Sequence, residues 1–135
     1  MSDIDRRGRI GPGKTPIILI VDDEPAIRDA FATLLRLGDY EVLTAANGVE
    51  ALAVLAQEPQ IALIILDLMM PLMNGWEFRA QQIADPAIAE IPVIIVTGAS
   101  ERPMDPLLLS TAGLLRKPID ADAVLGIVGR IMESR

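Results

Sequence analysis

The chain contains no cysteine and no histidine. The first absence excludes a disulfide framework and any thiolate metal site. The second excludes imidazole ligation and histidine acid–base chemistry within the chain. Any proton or phosphoryl chemistry must therefore run on carboxylates, hydroxyls, Lys or Arg. Aromatic residues make up only 3% of the chain. Long apolar runs are missing too. The longest extend for about six residues, against the ~20 needed to cross a bilayer. The N-terminal stretch MSDIDRRGRIGPGKTP lacks the apolar segment of a secretory signal. Positive charge is scarce, with a net charge of −7. Nucleic-acid backbones are held mainly by clustered Lys and Arg, so no direct nucleic-acid contact is expected. No membrane contact is expected either, and the predicted location is the cytoplasm.

What is present is apolar residue, at 51% of 135 positions. That suffices for one compact domain with a full core and is too short for two. Residues 1–15 are polar, net basic and interrupted by Gly11, Pro12 and Gly13, so they read as a mobile tail. The domain is expected over residues 16–133.

Within the domain, apolar runs alternate with amphipathic stretches. Pro16–Val21 (PIILIV), Glu41–Ala45, Ile61–Leu66 (IALIIL), Ile91–Val96 (IPVIIV) and Leu114–Arg116 read as strands. The continuous runs among them suit strands buried on both faces. Pro25–Leu37 places Ile27, Phe31, Leu34 and Leu35 on one helical face, with Pro25 in the first turn and Gly38 as the stop. Asn47 caps a second predicted helix to about Gln57, with Val49, Leu52, Leu55 and Ala56 inward. Further helices are expected over 75–84 and 120–133, with a short one over 105–111. Five strands alternating with five helices argue for an α/β fold, a doubly wound parallel sheet. Its common open arrangement has strand order 2-1-3-4-5, the flavodoxin-like three-layer sandwich, with a ligand site where the first and third strands meet.

The strands end on polar side chains: Asp22 and Asp23 after the first, Asp67 after the third, Thr97 after the fourth, Lys117 after the fifth. In a parallel sheet these ends share one edge. Three carboxylates there repel one another, and a hard divalent cation such as Mg²⁺ relieves that repulsion. A Lys and a Thr hydroxyl beside them suit phosphoryl transfer, where catalysis is positioning and charge neutralisation. Each residue alone has a plainer reading. Asp23 could be a helix N-cap, Thr97 a turn residue, Lys117 a solvated surface lysine and Met69–Met70 core filling.

Four stretches, VDDEP (Val21–Pro25), DLMMPLMNGWE (Asp67–Glu77), VTGAS (Val96–Ser100) and RKP (Arg116–Pro118), resemble the signatures of response-regulator receiver domains of two-component signalling. They stand in that family's order over about residues 16–133. The resemblance implies that Asp67 is the phosphoacceptor. It implies that Asp23, Asp67 and the Met69 carbonyl bind Mg²⁺ directly and Asp22 largely through water. Thr97 would bind a phosphoryl oxygen, and Lys117 would pair with the acyl phosphate ahead of a cis bond to Pro118. The implied partners are a histidine kinase or histidine phosphotransfer protein and a downstream protein target. The implied chemistry is self-catalysed phosphoryl transfer and hydrolysis rather than turnover of a substrate. Met69 and Ala99 flank the path of the attacking water in such domains, and neither can orient a water, so slow clearance is implied.

Two departures bear on output. Leu114 stands where the family typically has an aromatic, and the stretch between Thr97 and Lys117 is short and carries Pro103 and Pro106. The alternatives are a pseudo-receiver, which keeps the fold as a binding module, and a Mg²⁺-dependent phosphatase with an aspartyl nucleophile. The latter usually has a D-x-D arrangement, and here Leu68 and Met69 follow Asp67.

Overall fold

The computed structural model describes residues 15–98 and 111–134. The elements run β1 (Ile17–Val21), α1 (Pro25–Leu37), β2 (Glu41–Ala45), α2 (Gly48–Gln57), β3 (Leu63–Asp67), α3 (Gly75–Ala84), β4 (Val93–Thr97), β5 (Gly113–Arg116) and α4 (Ala121–Glu133). The expected tail, apart from Thr15, and the expected short helix over 105–111, apart from Thr111, lie outside the described residues, as do Ala99, Pro103 and Pro106.

The five strands form one parallel sheet in the order β2-β1-β3-β4-β5. Side chains alternate across it, because successive residues of a strand point to opposite faces. Leu19, Val21, Ile64, Leu66, Val93 and Ile95 pack on one face against Ala51 and Leu55 of α2 and Phe78 of α3. Ile18, Ile20, Leu63, Ile65, Ile94 and Val96 pack on the other against Phe31 and Leu35 of α1 and Val124 and Val128 of α4. The result is the flavodoxin-like three-layer sandwich, with each central strand buried on both sides.

Two strand starts differ from expectation for one reason. The apolar runs begin about two residues before the paired strands, at Ile61 and Ile91, while pairing starts at Leu63 and Val93. An apolar run reports burial rather than ladder hydrogen bonding, and Ile61 and Ala62 are indeed buried ahead of their strand. Pro92 cannot donate to a ladder at all.

In α2 the inward face is also corrected. Val49 is exposed, as is Ala56, while Ala51 and Leu55 are buried and Leu52 packs beside them. The helix starts at Gly48, with Asn47 accepting from the Glu50 amide.

Gly38 does follow α1, but the left-handed residue is Asp39 at φ 69°. Asp is among the few side chains that tolerate that region.

Candidate functional site at the carboxyl edge of the sheet

The first, third and fourth strands end in register. Val21 pairs with Leu66, Asp67 with Val96, and Thr97 with Arg116. The next residues are therefore carried to one edge. Asp22 follows β1, Asp67 ends β3, Thr97 ends β4 and Lys117 follows β5. Carboxylate oxygens of Asp22, Asp23 and Asp67 all lie within 4.8 Å of one another. Asp22 and Asp67 are buried, at 2% and 3% exposure, and Asp23 is exposed.

Lys117 closes the cluster from the opposite strand. Its Nζ lies 3.5 Å from Asp22 Oδ2 and 3.5 Å from Asp67 Oδ1. The Lys117–Pro118 bond is cis, as the resemblance implied. Thr97 is fully buried, and its Oγ1 has no hydrogen-bond partner. A hydroxyl so placed has lost its hydration without replacement, which is costly unless a ligand oxygen restores it.

The local backbone explains why the acids sit so tightly. The Asp22 Oδ1 accepts the Glu24 amide at 2.9 Å, turning the chain from β1 into α1. The Arg28 guanidinium donates to the Asp22 carbonyl at 2.8 Å and holds that turn from α1. On the other side, the Gly75 amide donates to the Leu68 carbonyl at 2.9 Å. A Cβ at Gly75 would lie 2.7 Å from the Asp67 carbonyl oxygen, so only glycine lets α3 begin this close to the phosphoacceptor candidate. Asn74 and Glu77 form a reciprocal capping box that anchors the same helix start. Met69, two residues past Asp67, has an exposed side chain at the rim.

Charge at the site is unbalanced. Burial pushes the Asp22 carboxyl up, against the Glu24 amide and Lys117, which pull it down, and Asp23 adds to the rise. Burial pulls the Lys117 ammonium down, but Asp22, Asp67 and Glu24 outweigh it and the net direction is up. One ammonium faces several carboxylates, two of them buried. That donor set fits a hard divalent cation such as Mg²⁺, which takes few carboxylates and fills its remaining positions with water or phosphate oxygen.

Asp22, Asp23, Asp67 and Lys117, singled out in the sequence, are thus brought together, and the sheet register carries Thr97 to the same edge. The plainer readings fail for three of them. Asp23 is not the cap of α1, since Glu24 holds that position. Lys117 faces carboxylates rather than open water, and Thr97 is in the interior. Two residues were missed. Glu24 approaches Lys117 at 3.4 Å, and Arg28 braces Asp22. The third acid of VDDEP was the available signal for the first. Nothing local marked the second.

The response regulator receiver domain model matches residues 18–128. The chain is 34% identical over 119 residues to the DNA-binding dual master transcriptional regulator RpaA of Synechocystis sp., covering 87% of this chain and 49% of that protein. It is 30% identical over 122 residues to the two-component response regulator ORR5 of Oryza sativa, covering 89% of this chain and 91% of that one. The chain thus spans about half the length of RpaA and nearly all of ORR5. Among solved structures, the chemotaxis response regulator CheY4 of Vibrio cholerae superposes with a TM-score of 0.76 at 30% identity, covering 87% of this chain and 99% of that one.

These relatives correct one expectation. The inference of no direct nucleic-acid contact does not stand, because RpaA is a DNA-binding regulator by name and matches most of this chain. A net charge of −7 averages over one stretch, whereas DNA is gripped by local clusters of Lys and Arg that net charge does not locate. No helix among the described residues is long and apolar enough to cross a membrane. With the sheet order, the strand-end constellation and a family match over residues 18–128, the chain belongs to the receiver domains of two-component response regulators, a family of signalling modules.

Proposed function

We propose that the chain is a phosphorylation-controlled switch in which Asp67 accepts a phosphoryl group from a phosphohistidine of a histidine kinase or histidine phosphotransfer protein. A carboxylate oxygen of Asp67 attacks phosphorus, and the bond from phosphorus to the imidazole nitrogen breaks. The electron pair stays on that nitrogen, which then takes up a proton. Hydrolysis later returns the Asp67 carboxylate and inorganic phosphate.

Mg²⁺, held by Asp23, Asp67 and the Met69 carbonyl with Asp22 acting through water, would neutralise charge on the phosphoryl oxygens. Lys117 pairs with one phosphoryl oxygen from the β5 side. Thr97 donates its hydroxyl to another. The buried Thr97 hydroxyl without a partner is the observation that carries this reading, because an acceptor arriving at Asp67 supplies what it lacks. Partner binding then changes with phosphorylation, since a partner can shift the equilibrium only by binding the two states unequally.

Treatment with a small phosphodonor and Mg²⁺, read by intact mass, tests the proposal. Wild-type protein is expected to gain one phosphoryl group and Asp67→Asn none. A gain in Asp67→Asn at the wild-type rate refutes the assignment.

A further inference from the structure

Glu24 stands in the site without a part in the chemistry above. It is the N-cap residue of α1, yet its side chain makes no cap hydrogen bond. Instead its Oε1 reaches outward to Lys117 Nζ at 3.4 Å. The ammonium has three protons to donate. It also faces Asp22 and Asp67 at 3.5 Å each, yet Asp22 Oδ2 has no hydrogen-bond partner, so the Glu24 contact holds the ammonium before any phosphoryl group arrives.

A phosphoryl oxygen on Asp67 draws the ammonium inward, and one of the carboxylates it faces must give way. Asp22 is buried and tied by its other oxygen to the Glu24 amide. Asp67 carries the incoming group. Glu24 is the longer side chain and is 60% exposed, so it can leave into water at little cost.

We propose that Glu24 is a positioning residue that holds the Lys117 ammonium toward the mouth of the site in the unphosphorylated state and releases it when Asp67 is phosphorylated. This rests on the reading of Asp67 as phosphoacceptor. It makes Glu24 a brake on the reaction, because the Lys117–Glu24 contact has to break before Lys117 engages the phosphoryl group. An ion pair this exposed is weak, so the brake is mild.

Two variants separate a contact from a charge. Glu24→Gln removes the charge. Glu24→Asp keeps the charge and shortens the side chain by one methylene, so the 3.4 Å approach is lost. With a small phosphodonor at saturating Mg²⁺, both variants are expected to be phosphorylated about two- to fivefold faster than wild type, the range open to an exposed ion pair. A faster Gln variant beside an Asp variant at the wild-type rate means that only charge at the mouth matters, and overturns the proposal. So does a wild-type or slower rate in both.

A second readout needs no phosphorylation. Lys14 and Lys117 are the only lysines, so ¹⁵N-lysine labelling yields two Nζ signals. In unphosphorylated protein the Lys117 signal is expected to move in both variants and the Lys14 signal to stay. An unmoved Lys117 signal overturns the Glu24 contact. A Lys117 signal that moves, in a wild-type protein that accepts no phosphoryl group, keeps the contact and refutes the reading of Asp67 on which the brake depends.

Discussion

Asp22 and Thr97 both carry a cost that the unphosphorylated fold alone does not recover. Burial raises the Asp22 carboxyl above its ordinary value of 3.8. Between that value and the raised one, the folded state binds more protons than the unfolded state. Stability from this group is therefore present at low pH and lost as pH rises through the raised value. Lys117 has its own ordinary value of 10.5, also raised, so its contribution holds through neutrality and is lost only above that value. In chelator, Asp22→Asn is expected to gain stability relative to wild type as pH rises above about 4, read by denaturant unfolding across a pH series. An unchanged pH slope in the variant would contradict this. Thr97→Val keeps the shape and removes the unpartnered hydroxyl. It is expected to stabilise the unphosphorylated protein by about 1 kcal/mol, since an unsatisfied buried polar group is relieved. The same variant should shorten the life of the phosphorylated form, read by the loss of the added mass over time. The opposite signs separate a ligand-binding hydroxyl from a merely structural one.

At the scale of elements, the start of α3 sets the floor of the site. Gly75 approaches the backbone of Asp67 and Leu68, and backbone cannot swing aside. Gly75→Ala is therefore expected to destabilise the fold by about 1–3 kcal/mol, the usual cost of overpacking. It should also slow phosphorylation, because relief of the clash moves the Asp67 carbonyl. Gly48 offers a contrast. A Cβ there meets the side chain of Met73, which is flexible and can repack. Gly48→Ala should cost less in stability and leave the phosphorylation rate near wild type. Urea unfolding and phosphodonor kinetics on the two variants check both statements. The β5 edge matters in a different way. Leu114 is 43% exposed on that strand, and a leucine swinging inward would carry less bulk than an aromatic side chain.

Over the whole molecule, the signal has to leave Asp67 by some route. Proline restricts φ and lowers the entropy of unfolded alternatives, and the sequence carries it at 103 and 106, outside the described residues. Hydrogen exchange with and without a phosphoryl mimic is expected to change across residues 98–111 more than around Leu114. Protection changing at Leu114 alone would overturn that route, and no change at either place would favour a binding module that phosphorylation does not switch.

Much of this was legible along the chain because it is local. Apolar runs and amphipathic stretches specify which segments are strands and helices, and a parallel sheet obliges every strand to end on the same edge. Asp22, Asp23, Asp67, Thr97 and Lys117 could therefore be gathered from one dimension. The rotation of α2 could not, because an apolar stretch offers Val49 and Ala56 as readily as Ala51, and packing against the sheet chooses between them. Nor could the departure of the strands from their apolar runs at Ile61 and Ile91, since burial extends past pairing. The tertiary structure alone decided that Lys117 meets a third carboxylate. Glu24 and Lys117 are 93 positions apart, and no spacing rule reaches that far. Their meeting depends on where α1 starts relative to β5, which the packed sheet and its helices settle together.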